Sequence, residues 1–83
     1  MIKRRGVVVT HKPVNNSVGT LKELGEAIKY KRTSLGLSMK KTSLLCGISD
    51  KTLQSIEKGH ESKFSTVLNL TKMLGLNFKI EGL

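Results

Sequence analysis

Eighty-three residues with 37% apolar content are enough for one small domain of a few short helices and leave no room for an elaborate active site. Fifteen Lys and Arg against six Asp and Glu give a formal charge of +9 and a pI near 10.1, a balance that favours a polyanionic partner. A single cysteine excludes an internal disulfide, and no hydrophobic run approaches a membrane span or a signal peptide, so a reducing cytoplasm with no membrane attachment is expected.

Residues 1–19 hold Lys3, Arg4, Arg5 and Lys12 and no acidic residue. Gly6, Pro13, Asn15, Asn16 and Gly19 break any helix there, so the segment reads as a basic flexible arm. Residues 7–10 are β-branched and suit a short strand if something pairs with them. Lys3, Arg4 and Arg5 suit contact with DNA backbone or a minor groove, and they suit a solvated terminus equally well.

A first helix is expected from Thr20, where Thr20 and Glu23 match a capping box. Leu21, Leu24, Ile28 and Leu35 share one face at helical spacing, Lys22, Glu26 and Lys29 lie away from it, and Gly36 serves as C-cap.

Residues 37–59, LSMKKTSLLCGISDKTLQSIEKG, read as two short helices joined by a tight turn. Ser38 can cap the first, Gly47 can take the left-handed conformation that ends it, and Ser49 can cap the second. Leu53 and Ile56 stand three residues apart on an inner face, which leaves Asp50, Lys51, Gln54 and Ser55 outside. A short capped helix with small and basic polar residues at its exposed N-terminal end has the shape that enters a DNA major groove.

A last helix is expected over residues 64–74, with Phe64, Val67, Leu68 and Leu74 inward and Met73 filling a gap. Beyond Gly75, Leu76, Phe78 and Ile80 alternate with Asn77, Lys79 and Glu81, a strand signal. A lone strand leaves its backbone groups unpaired, so the same strand of a second copy about a two-fold axis is the economical partner, with residues 7–10 as the other choice. His11, Cys46 and His60 have no metal spacing, and no catalytic set or phosphate loop is present, so neither a metal, a cofactor nor an enzyme is expected.

Leu37, Ser38, Ser43, Gly47, Ile48, Ser49, Ile56, Glu57 and Gly59 fall, without gaps, in register with the helix-turn-helix of the Cro/C1-repressor (XRE-type) family. The resemblance extends back through KRTSLGLS and forward through FSTVLNLTKMLGL, and so covers most of the chain. It implies an all-α fold of four to five helices: a basic arm over residues 1–19, a DNA-binding domain over 20–76 and a short β-strand for dimerisation over 77–83. It also implies a role as a transcriptional repressor on double-stranded DNA, with a homodimer spanning a palindromic operator.

By that resemblance Asp50, Lys51 and Ser55 face base edges, and Thr52 and Gln54 face bases or flanking backbone. Lys51 suits guanine, Gln54 adenine and Asp50 the cytosine amino group, although a carboxylate there also suits a helix N-terminus. Ser38, Met39, Lys40, Lys58, His60 and Lys63 match backbone-contacting positions. Met39 replaces a phosphate-binding glutamine, so backbone N–H groups must act in its place. Arg32 and Glu57 match an ion pair that ties the first helix to the recognition helix. Thr42 replaces a core leucine, Cys46 a small core residue, and Leu44 and Leu45 stand where the family has charged residues. These two leucines face a protein partner or mark a slightly rotated helix, or else they belong to a rearranged core or are tolerated on the surface.

The ending LGLNFKIEGL is similar to that of HipB-like antitoxins. The likeness implies dimerisation through Leu76, Phe78 and Ile80, repression of the protein's own operon, and binding to a HipA-like kinase toxin. A stand-alone phage-type or chromosomal XRE regulator without a toxin is the alternative.

Overall fold

In the computed structural model, which describes residues 3–13 and 17–83, four helices follow one another: α1 (Leu21–Ser34), α2 (Met39–Cys46), α3 (Asp50–Glu57) and α4 (Phe64–Met73). Ahead of them stands a two-stranded antiparallel sheet, β1 (Lys3–Arg4) with β2 (Val7–Val8). Asn15 and Asn16, read as helix breakers, lie outside the described residues.

Local chemistry sets the helix starts. The hydroxyls of Thr20, Ser38 and Ser49 accept from the N–H groups of Glu23, Lys41 and Thr52 at 3.1, 3.1 and 3.0 Å. Glu23 completes the first box one residue further out than the usual pattern, taking the N–H of Gly19 at 2.9 Å.

Each helix ends in one device. Gly36, Gly47, Gly59 or Gly75 turns the chain, and the next residue donates back to a carbonyl five positions earlier: Leu37 to Arg32, Ile48 to Ser43, His60 to Ser55 and Leu76 to Thr71, all at 2.9–3.1 Å. In three of the four cases that next residue is apolar, and Leu37, Ile48 and Leu76 pack against the core. Helix α1 thus ends with Leu35 as its C-cap, and Gly36 lies one position beyond the place expected for it.

Ile28, Leu53, Ile56, Val67, Leu70 and Leu74 form the core, with Leu24, Leu37, Met39, Cys46, Ile48 and Leu76 against it. Thr33, Thr42, Ser43 and Thr71 are buried among them, and the hydroxyl oxygen of each lies 2.9–3.1 Å from a carbonyl oxygen three or four residues back. Thr42 therefore fills its position without an orphaned polar group.

Two expected stripes are corrected. On α1, Leu21 and Leu35 are exposed at the helix ends, and the buried face runs through Gly25, Ile28, Arg32 and Thr33. On α4, Phe64 and Met73 are exposed and Leu68 is half-buried, because the inward face is Val67, Leu70, Thr71 and Leu74. Val67, Leu70, Thr71 and Leu74 keep the i, i+3, i+4, i+7 spacing, a phase that Phe64, Leu68 and Met73 do not all share.

The N-terminal segment is not a free tail over residues 3–10. Arg4 pairs with Val7, which leaves Arg5 and Gly6 as a two-residue turn with φ of 51° and 79°, the pattern of a type I′ hairpin. The hairpin rests on the end of α1. A Cβ on Gly36 would lie 3.0 Å from the Arg5 side chain and 3.1 Å from the Arg4 carbonyl, and the Thr10 N–H donates to the Thr33 hydroxyl at 3.2 Å. Lys3–Arg4, not the C-terminus, partners Val7–Val8.

Residues 76–83 make no strand ladder among the described residues. Leu76 belongs to the cap of α4, and the ring of Phe78 meets that of Phe64, centroids 5.5 Å apart at 58°. The tail does not add to the hairpin sheet, which holds only β1 and β2.

Candidate nucleic-acid interface

Helix α3 is held against α1 by a close approach and a buried ion pair. A Cβ on Gly25 would lie 2.5 Å from the Glu57 carbonyl oxygen and 2.6 Å from that of Ile56, so only glycine lets the two backbones come this near. Gly59 does the same at the end of α3, where a Cβ would come within 2.8 Å of the Lys22 Cα.

Arg32 joins three segments. Its Nε donates to Glu57 Oε2 at 2.6 Å, Nη2 to Glu57 Oε1 at 3.1 Å, and Nη1 to the Leu37 carbonyl at 2.8 Å. Both side chains are more than nine-tenths buried, 7% and 4% exposed. A two-pronged contact with every buried polar atom partnered is the condition under which such a pair can be tolerated in a low-dielectric setting. The guanidinium thus ties α1 to the C-terminal end of α3 and to the loop that leads into α2.

The turn between α2 and α3 is equally constrained. Gly47 takes φ of 67°, which allows Ser49 to cap α3 two residues later. The Ser43 hydroxyl of α2 donates to Asp50 Oδ1 on the first turn of α3, a clamp absent from the sequence reading. Asp50 is therefore committed through one oxygen to fixing the angle between the helices.

The rest of α3's outer surface is open. Lys51 and Gln54 are exposed, while Thr52 and Ser55 are half-buried and already linked to neighbours. The Ser49 hydroxyl donates to Thr52 Oγ1 at 2.9 Å, and Ser55 Oγ lies 3.3 Å from His60 Nδ1. Ser38, Lys40, Lys58, His60 and Lys63 are all exposed. Met39 packs its side chain against the core, so only its backbone is presented at the start of α2. There the Ser38 hydroxyl takes the N–H of Lys41, which leaves the N–H groups of Met39 and Lys40 without a partner inside the helix.

Electrostatics favours an anion across the whole molecule. Among the described residues Arg32–Glu57 is the only ion pair, so the other cations stand uncompensated by direct contact. Leu44 and Leu45 are 71% and 57% exposed, which removes the rearranged-core reading for them. Cys46 is half-buried with its Sγ 3.6 Å from Met73 Sδ, and burial pushes its thiol pKa up. No helix among the described residues is long and apolar enough to cross a membrane.

Gly25, Ser43 and the hairpin are the parts of this assembly that reading the sequence missed. Gly25 sits mid-helix, where glycine is normally unfavourable, and that misfit was the available signal. Comparison with curated proteins yields no match. The family model described as helix-turn-helix matches residues 28–79, more than half of the chain and all of α2, α3 and α4, so the protein belongs to the XRE-type helix-turn-helix family of DNA-binding transcriptional regulators.

Proposed function

We propose that the protein is a dimeric, sequence-specific repressor in which α3 enters the major groove. The exposed, uncompensated Lys51 and Gln54 on a helix immobilised by Gly25, Arg32–Glu57 and Ser43–Asp50 carry this reading. Lys51 reads guanine and Gln54 adenine, while Thr52, Ser55 and the free oxygen of Asp50 complete the base-facing row. Ser38, Lys40, Lys58, His60, Lys63 and the Met39 backbone hold the sugar–phosphate chains.

The tail supplies the dimer contact through Leu76, Phe78 and Ile80, giving a two-fold unit for a palindromic operator. Ile80 at 79% and Phe78 at 44% exposure support this, as apolar side chains with little cover in a single chain. The C-terminal likeness to HipB-type antitoxins extends the proposal to autorepression and to capture of a HipA-like kinase toxin, for which the exposed Leu44 and Leu45 on α2 offer a surface.

Two experiments test these levels separately. Lys51→Ala is expected to weaken binding to the cognate duplex by about 1–3 kcal/mol and to relax preference at one base pair. Equal losses on cognate and random DNA would remove Lys51 from base reading. Tagged protein recovered from the native extract after a high-salt wash is expected to carry a kinase-like protein. Recovery of the chain alone would leave a stand-alone regulator.

A further inference from the structure

We propose that the hairpin over residues 3–8 is a second, preformed contact for the DNA backbone, set beside the N-terminus of α2. This rests on the assignment of α3 and the start of α2 to DNA. The hairpin's turn places Arg5 at φ 51°, a conformation that asparagine or glycine adopts far more readily. The Arg5 stem lies over Gly36, as a Cβ there would meet Arg5 Cγ and Cδ at 3.0 Å. Its charged head remains exposed, as do Lys3 and Arg4, and none of the three meets a carboxylate among the described residues.

Position supplies the rest. Gly36 is two residues from Ser38, the cap of α2, so the hairpin's contact with the body lies within about 10–14 Å of the Met39 and Lys40 N–H groups offered to phosphate. A duplex carries one phosphate per about 3.4 Å of axis on each strand, so a cation at the hairpin reaches phosphates within about four positions of the one at α2. With two residues per strand the hairpin offers its basic side chains to phosphate, a contact that adds affinity without sequence preference.

The test compares Arg4→Ala with Arg5→Gly, combined in one variant, against Lys29→Ala with Lys72→Ala, which removes the same charge from exposed positions of α1 and α4 outside the proposed interface and dimer contact. Glycine at position 5 keeps the turn. Affinity for a random duplex and for the selected operator is measured from about 50 to 200 mM salt. The hairpin variant is expected to lose affinity by the same factor on both duplexes, and its slope of log K against log salt is expected to flatten by about 2 for each chain bound, about 3.6 for a dimer. The control keeps the parent slope. A parent chain that binds duplex while the hairpin variant keeps its slope, or while the control loses as much, overturns the hairpin contact alone. A parent chain that binds no duplex overturns the assignment of α3 as well.

Discussion

Gly25→Ala sets two opposed effects against each other, and the structure decides the sign. In an open helix the change favours the folded state by up to about 1 kcal/mol, because glycine is the poorer helix former. Here the new methyl would sit 2.5 Å from the Glu57 carbonyl oxygen, 2.6 Å from the Ile56 oxygen and 2.8 Å from the Glu57 carbonyl carbon. All three are backbone atoms, so no side chain can swing aside. A carbon normally approaches a carbonyl oxygen to about 3.3–3.6 Å, so α1 and α3 must separate by roughly 1 Å.

Overpacking of this kind costs about 1–3 kcal/mol. The same separation stretches the 2.6 Å contact of Arg32 with Glu57, and a charged hydrogen bond contributes about 1.5–3 kcal/mol. After the helix-propensity gain, a net destabilisation of about 2–4 kcal/mol remains, a large share of the 5–15 kcal/mol typical of folded proteins. Urea unfolding followed by circular dichroism measures it: with a slope of about 1 kcal/mol/M the midpoint should fall by roughly 2 M or more. A midpoint that rises would refute the close packing of α1 on α3, since only an unobstructed helix position gains from alanine.

Arg32→Met strands a buried carboxylate and releases the Leu37 carbonyl, so it should cost about 3–5 kcal/mol, and adding Glu57→Leu should restore most of it; a single variant with unchanged urea midpoint would contradict the burial of the pair. Ending the chain after Leu76 should leave the helices folded and weaken dimerisation, and an unchanged dimer on sedimentation would sink pairing through the tail. Burial raises the Cys46 pKa, so less thiolate is present at neutral pH and alkylation should run slower in the folded protein than in urea; equal rates would contradict that burial. The sign for stability follows: the folded state holds the thiol proton more tightly, so any stability due to Cys46 is lost as pH rises past the ordinary thiol range.

The parts of this fold that local chemistry dictates were legible in advance. Thr20, Ser38 and Ser49 cap the helices they precede, and the glycines at 36, 47 and 75 end theirs within a residue of the expected place, because a cap needs only neighbours within a few residues; the same role for Gly59 at the end of α3 went unread. Arg32 and Glu57 meet where the family resemblance puts them. Helix phase was harder. In FSTVLNLTKM apolar side chains occur at nearly every register, so Phe64, Leu68 and Met73 read as inward while the fully buried Leu70 was passed over, and only the position of α4 on the core separates them.

Long-range docking left little trace in the sequence beyond the misfit of a glycine at position 25. Ser43 and Asp50 are seven residues apart on different helices, and Arg5 reaches Gly36 across α1. Period two marks residues 76–81 as a strand, but a strand is defined by its partner, and the one sheet among the described residues holds only Lys3–Arg4 and Val7–Val8.

The measurement that bears most directly on α3 as the reader of DNA is selection of bound duplexes from a randomised pool by the full chain at about 150 mM salt. A dimer with two equivalent α3 helices should enrich a palindrome whose half-sites lie one helical turn, or a multiple of it, apart. Binding that depends on salt but enriches no sequence would leave only a basic surface on phosphate, and would contradict base reading by α3.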